Sequence, residues 1–153
     1  MRSIPLTKGK STIVDDVDYD FLMQWKWWYG GKYAVRTHQD MPVLLHRIVA
    51  ERAGINPRHK IDHINRDRLD NRRHNLRAAT KSQNGTNRGP NKNNTSGFKG
   101  VCWDKCNRLW ETKIQVEGRY HKIGRYPTKT EAAKAYNEAA IKYFGAFAYL
   151  NKV

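Results

Sequence analysis

Asp62 and His63 stand side by side in the short β-prone segment "KIDHI", and Asn65, Asn71, Asn75 and Asn84 follow close behind. Neighbouring strand residues point to opposite faces. Asp62 and His63 therefore cannot do the same job on the same side. One can hold a metal while the other meets a water, where the strand lies at the edge of a cleft. An imidazole titrates near neutrality, which suits His63 to general-base work. The Asp62 carboxylate and the Asn84 amide offer oxygen ligands. Magnesium takes oxygen ligands and commonly uses one or two protein groups, with water and phosphate completing its shell. Metal, base and DNA phosphate together make a nuclease. An Asp-His dipeptide alone is more often structural; with Asn75 and Asn84 at this spacing, the nuclease site is the better reading.

The surrounding residues predict the elements that would position these groups. After "KIDHI" comes a polar loop, "NRDRLDNRRHN", and then "LRAAT", a second short strand. Thr80 and Gln83 match the T-x-x-Q capping box, which starts a helix at about Lys81 and places Asn84 just past its first turn. Upstream, "LLHRIVAERAGI" has apolar residues at Leu45, Ile48, Val49 and Ala53, the spacing of an amphipathic helix ended by Gly54. His46 on that helix reads as a packed or hydrogen-bonded structural histidine. "STIVDDVDYDFLMQW" reads as a strand followed by a turn or short helix. In "KWWYGGKYAVRT", Gly30-Gly31 between two aromatic runs signals a two-residue hairpin turn. Trp25, Trp27 and Trp28 suit a small core better than a base-stacking platform, because their segment is nearly neutral.

The 153 residues carry 29 Lys+Arg against 14 Asp+Glu, a net charge of +15. That excess predicts a polyanionic partner, with nucleic acid first. Five tryptophans and 11% aromatics exclude a merely basic disordered tail. The charge is uneven. Residues 1–40 hold six Lys/Arg against five acids, residues 41–95 twelve against four, and residues 96–153 eleven against five. The first forty read as scaffold and the rest as nucleic-acid surface, with Arg66, Arg68, Arg72, Arg73 and Arg77 favoured as phosphate contacts. "MRSIPLTKGK" has no apolar run of a signal peptide, and no stretch reaches a membrane span. The expected place is the cytoplasm, with no membrane partner. Cys102 and Cys106 lack a second Cys/His pair at finger spacing, so reduced thiols are expected and zinc is not.

Residues 85–97, "GTNRGPNKNNTSG", carry no apolar side chain and read as a linker. Beyond it, "FKGVCW", "LWETKIQV" and "YHKIGRY" predict three strands, with Gly118 helping the second turn into the third. "TKTEAAKAYNEAAIKYFG" predicts a helix, capped by Thr128 or Thr130, with Glu131 in its first turn and Gly145 at its end. Ala132, Ala135 and Ala139, joined by Tyr136 and Tyr143, form its expected packing stripe. In the middle strand Trp110, Thr112, Ile114 and Val116 share one face, and Glu111, Lys113, Gln115 and Glu117 the other. One face can pack on the helix while the polar one meets DNA, since a short sheet can enter the major groove.

On "LLHRIV", "IDHINRDRLDNRRHNLRAAT" and "SQN", residues 44–84 resemble an HNH endonuclease of the homing type, with the ββα-metal fold. The resemblance implies that His63 is the general base and that Asp62 and Asn84 are the metal ligands. It implies that Asn75 is the central asparagine that fixes the loop and helps orient His63, and that Asn71 stabilises the loop. His74 reads as a loop or phosphate-contacting residue. Residues 96–151 resemble the plant ethylene-response-factor (APETALA-type) DNA-binding domain, on their G-V-x-W, I-G-x-Y and E-A-A-x-A-Y pieces. That resemblance puts Cys102, Lys113, Gln115, Tyr120 and Lys122 at reading positions where the plant domains carry more arginine. Lys99, Lys105, Arg108 and Arg119 join the expected DNA contacts.

The expectation is thus an α+β chain. It has a β-rich scaffold over 1–40, a ββα-metal core over 41–84, a linker over 85–97, and a three-stranded antiparallel sheet packed on one helix over 98–153. The expected activity is metal-dependent hydrolysis of double-stranded DNA, with Mg2+ as the cofactor and Mn2+ as its substitute. The enzyme would be of phage or mobile-element kind, working as a monomer or homodimer. The rival is a sequence-specific DNA-binding regulator that does not cleave; an RNA-binding protein is a third reading.

Overall fold

The computed structural model describes residues 1–153 as a mixed α and β chain with four small antiparallel sheets. It divides into two compact units, Met1–Asn84 and Gly85–Val153.

The first unit opens with a hairpin of β1 (Arg2–Pro5) and β2 (Ser11–Val14), followed by α1 (Asp16–Leu22). Asp16 and Asp18 lie in the first turn of α1, where the helix dipole favours negative charge. Next come β3 (Trp28–Tyr29), β4 (Ala34–His38) and β5 (Met41–Leu44), which form one sheet, and α2 (Leu45–Arg52). Gly54, at φ +84°, takes the left-handed conformation just past α2. A second hairpin pairs β6 (Lys60–His63) with β7 (Leu76–Ala79), joined by a loop that ends in a 3-10 turn over Arg73–Asn75. Helix α3 (Lys81–Thr86) follows after a single residue, Thr80. Its capping box is complete: the Gln83 amide donates to the Thr80 hydroxyl, and the Thr80 amide donates to the Gln83 side chain.

These elements share one core. Ile4, Leu6, Val14, Leu22, Trp27 and Ala34, all before residue 41, pack with Leu45, Val49, Ala50 and Leu76. The first forty residues, read as a scaffold apart, thus supply more than half of this core. Strand β2 also holds the loop of the second hairpin directly. The Ile13 amide donates to the Leu69 carbonyl, and the Asn71 amide donates to the Ile13 carbonyl. Trp27 is a core residue and the half-buried Trp25 packs edge to face against it, while the Trp27 indole donates to the Leu22 carbonyl. Trp28 is 40% exposed and lies outside that core. The turn at Gly30-Gly31 differs from the expected two-residue form. Because Tyr29 pairs with Ala34, the loop has four residues, closed by the Gly30 amide on the Tyr33 carbonyl.

The second unit carries β8 (Val101–Asp104), β9 (Leu109–Val116) and β10 (Arg119–Tyr126), in the order β10-β9-β8, with α4 (Lys129–Phe144). Thr128 and Glu131 form a capping box at the start of α4. The stripe α4 buries is Ala132, Ala133, Tyr136 and Ala140, shifted from the expected set; Ala135 is only half-buried and Tyr143 is exposed. Small residues let α4 lie close to β9, where the buried Thr112 hydroxyl donates to the Ala132 carbonyl. Gly100 is needed for the same closeness: it sits at φ +76°, and a Cβ there would fall 2.2 Å from the Tyr136 ring.

Residues 85–97, expected as a linker, are drawn into this unit. The Ser96 hydroxyl donates to the Val101 carbonyl, Asn94 brackets the turn around Gly97, and the Thr86 hydroxyl donates to the Phe147 carbonyl. The segment is held by hydrogen bonds rather than apolar burial, so its hydropathy shows none of this. Asn151 pins the chain end: its side chain bonds both the amide and the carbonyl of Lys99, and its backbone pairs with the Asn137 side chain.

Candidate active site

Strand β6 carries the Asp-His pair into the first unit, and both side chains are buried. Register places Asp62 opposite Arg77 and His63 opposite Leu76. Opposed residues on antiparallel strands share a face. Arg77 accordingly donates from Nε and Nη2 to Asp62 Oδ2, at 2.9 and 2.7 Å. His63 turns the other way. Its ring lies 5.1 Å, centroid to centroid, from that of His46 on α2 and 6.3 Å from that of Tyr33. Its Nε2 is 2.9 Å from Asn71 Oδ1.

Burial lowers the pKa of His63 below the usual imidazole range; the Asn71 hydrogen bond and the Asp62 charge oppose the shift without cancelling it. Burial pushes His46 down to about 3, with the facing His63 and Arg47 adding to the effect. Both imidazoles are neutral at neutral pH, and a neutral His63 carries the lone pair a base requires.

The two asparagines divide the work differently from the expected division. Asn75, expected to fix the loop and help orient His63, closes the loop: its Nδ2 donates to the Asp70 carbonyl and to Asn65 Oδ1, and its Oδ1 accepts from the Asn65 backbone amide, none of these bonds being to His63. Asn71, expected as a loop stabiliser, makes the direct contact to His63. Asn84 is exposed on α3, its amide donating to the Thr80 carbonyl. The donor chemistry fits a hard divalent cation: one carboxylate and one amide oxygen, the rest of the shell left to water and phosphate. No group of three or more His, Cys, Asp or Glu side chains that could hold a metal is assembled in the chain. Asp62 also shares its carboxylate with Arg77, which such a cation would have to tolerate or displace.

The arginines of the β6–β7 hairpin depart from the expectation. Arg72, Arg73 and Arg77, read as phosphate contacts, are spent on acids within the unit. Arg72 chelates the buried Asp70, and Arg73 chelates the fully buried Asp18, which Arg52 also contacts at 2.8 Å. An unpaired buried carboxylate is costly, so each acid recruits the nearest guanidinium. Arg68 is exposed and lies 5.2 Å from the centre of the Tyr33 ring, beside the two histidines. Arg66 and His74 are exposed on the same loop.

In the second unit, register puts Cys102, Lys113, Gln115, Tyr120 and Lys122 on the face of the sheet away from α4. Tyr120 is 70% exposed, enough to stack on a partner. Glu111 sits between Lys122 at 2.9 Å and Lys113 at 3.5 Å. Lys105 and Arg108 are exposed in the β8–β9 turn. Two expected contacts fall elsewhere. Lys99 donates its ammonium to the Thr86 and Arg88 carbonyls, and Arg119 pairs with Val116, on the α4 side of the sheet. One outer-face residue was missed. A bulge between Lys122 and Gly124 shifts the register, turning Tyr126 inward against α4 and Arg125 outward opposite Glu111. Simple alternation from Tyr120 hides that switch. Tyr33 and Thr12 were missed too, because nothing local to either marks its neighbours.

Comparison with known proteins agrees with this division. The family model "HNH endonuclease" matches residues 43–86, and "AP2 domain" matches residues 96–146. An uncharacterized HNH endonuclease of Acanthamoeba polyphaga mimivirus is 32% identical over 150 residues, covering 95% of this chain and 77% of that protein. Protein 3.8 of Escherichia phage T7 is 39% identical over 61 residues, 40% of this chain and 50% of its own length. APETALA2-like protein 2 of Oryza sativa subsp. indica is 42% identical over 59 residues, 37% of this chain and 13% of its own length. The chain belongs to the HNH endonuclease family and carries an AP2 domain behind its HNH domain.

Proposed function

We propose that the chain is a metal-dependent DNA endonuclease of the phage or mobile-element homing kind, working in the cytoplasm of the infected or host cell. The observation that carries this reading is the held imidazole: His63 is buried, neutral and hydrogen-bonded by Asn71, beside Asp62 and upstream of Asn84 on α3. In the proposed ββα-metal unit of β6, β7 and α3, His63 takes a proton from a water. That water attacks the phosphodiester phosphorus in line with the 3′ oxygen, leaving a 5′ phosphate and a 3′ hydroxyl. Asp62 and Asn84 would hold a divalent cation, Mg2+ by donor type, which when bound neutralises charge on the phosphate and the leaving oxygen. Arg66 and Arg68 lie on the loop beside His63 and would meet the backbone phosphates. The outer sheet face of the AP2 domain, with Lys113, Gln115, Tyr120, Lys122 and Arg125, would bind the duplex. One site per chain gives one nick per visit; a double-strand cut takes a second visit or a dimer.

One observation favours the non-cleaving regulator instead: Arg77 already neutralises Asp62. Supercoiled plasmid incubated with Mg2+, with EDTA, and with His63→Ala separates the two readings. Mg2+-dependent nicked or linear product, lost in His63→Ala while a gel shift remains, supports the nuclease. Binding without cleavage in any divalent metal, on DNA the protein demonstrably recognises, overturns it in favour of the regulator.

A further inference from the structure

Thr12 is fully buried on β2, outside the residues that the HNH family model covers, and its side chain reaches the candidate base through a short relay. Its hydroxyl lies 2.7 Å from the Leu69 carbonyl. A carbonyl only accepts, so the Thr12 proton is committed there. Toward Asn71, 2.7 Å away, Thr12 Oγ1 can then only accept. The Asn71 amide must point its NH2 at Thr12 and its oxygen at His63 Nε2, 2.9 Å away. An amide oxygen also only accepts, so His63 Nε2 must carry the proton and Nδ1 the lone pair. The backbone of β2 holds the relay at both ends: the Ile13 backbone N–H shares the Leu69 carbonyl, and the Ile13 carbonyl accepts from the Asn71 backbone N–H. We propose that Thr12 is a positioning residue that sets the orientation of the Asn71 amide and, through it, the Nε2–H tautomer of His63.

The consequence for chemistry rests on the endonuclease reading. A base works only from the nitrogen that bears its lone pair, so the tautomer decides which ring nitrogen faces the attacking water. Without the Thr12 hydroxyl the Asn71 NH2 loses its acceptor. The amide is then free to flip and donate to Nε2, which moves the proton to Nδ1.

The test uses the full chain with 15N-labelled histidine. Long-range 1H–15N correlation spectra report which nitrogen of His63 is protonated, and plasmid nicking in Mg2+ is followed on the same samples. Wild type should show the Nε2–H form. Thr12→Val, matched in shape but lacking the hydroxyl, should show a mixture or the Nδ1–H form, and kcat should fall about tenfold or more with KM little changed. Thr12→Ser, which returns the hydroxyl, should restore both readouts; a purely packing role would predict no such rescue of the tautomer. Asn71→Leu removes the second link and should give the same spectral change, so the question is still answered if Thr12→Val does not fold. Nε2–H signals unchanged in the variant that folds would overturn the proposal, whatever the cleavage result. A tautomer that shifts as expected in a protein whose wild type never cleaves would sustain the positioning role and sink the endonuclease reading instead.

Discussion

The two units treat polar side chains in opposite ways. The first buries charge: Asp18, Asp62 and Asp70 are each no more than 5% exposed, with Thr12, His46, His63, Asn71 and Asn75 buried beside them. The second buries only uncharged polar residues (Asn87, Ser96, Thr112 and Asn151) and keeps its ion pairs on the sheet surface, Glu111 with Lys113 and Lys122, and Asp104 with Arg125. A buried ion pair is costly to assemble and costly to break, so it holds geometry firmly. A surface pair exchanges readily with water and salt, so its cations can be handed to another anion. The first arrangement suits groups that must stay within hydrogen-bond reach of a reacting atom. The second suits a surface that binds and releases a polyanion.

Substitutions at matched acids put the contrast at risk. Asp18→Asn should have the largest effect, since it leaves Arg52 and Arg73 facing a neutral amide in a fully buried position. We expect a loss of about 3 kcal/mol or more from the first unit, read as a lower urea midpoint. A loss under about 1 kcal/mol would erase the distinction between the units. The pH dependence has a fixed sign. Burial works to raise the Asp18 pKa, but the hydrogen bonds from Arg73 and Arg52 outweigh it and hold the carboxyl below its ordinary value. Asp18 therefore contributes stability that is fully present above the unfolded carboxylate pKa of about 4 and is lost as pH falls through the lowered folded value. Acid titration of the wild type, but not of Asp18→Asn, should show this component.

Thr128→Ala should have an intermediate effect on the second unit, about 1 kcal/mol, because it removes one half of the capping box at α4. Thermal unfolding measures it. Glu111→Gln should have the smallest effect on stability, within about 1 kcal/mol, because its partners are surface lysines. It should nevertheless release Lys113 and Lys122 to phosphates, giving tighter duplex binding with a steeper salt dependence in a titration series. Weaker binding, or a flat salt response, would count against the outer face as the DNA surface.

Legibility in the sequence followed range along the chain. The capping box of Thr80 with Gln83 could be read because it is a four-residue pattern with its own hydrogen bonds; at α4 the sequence left Thr128 and Thr130 both open as the cap, and the structure selects Thr128, boxed with Glu131. Strand β9 could be read because alternation is local, and Thr112 and Ile114 are indeed buried while Lys113 and Gln115 are exposed. The bulge at β10 could not, since one extra residue reverses the faces without changing composition. The partners of Arg72, Arg73 and Arg77 could not either. Arginine beside a polyanion-binding motif looks the same whether it meets phosphate or a buried aspartate, and Asp18 lies 55 residues from Arg73. The 85–97 segment looked like a linker for a related reason: hydrogen bonds to a distant backbone leave no trace in hydropathy.

By itself, the sequence determined the element types, the order of the candidate groups along the chain, and the excess of positive charge, because these rest on propensity, periodicity and counting. Only the tertiary structure decided which asparagine touches His63, which arginines are already committed, and that Thr12, 59 residues from Asn71, completes the relay. Those assignments depend on which donors and acceptors burial brings within about 3 Å of one another, and no local rule on a chain sets that distance.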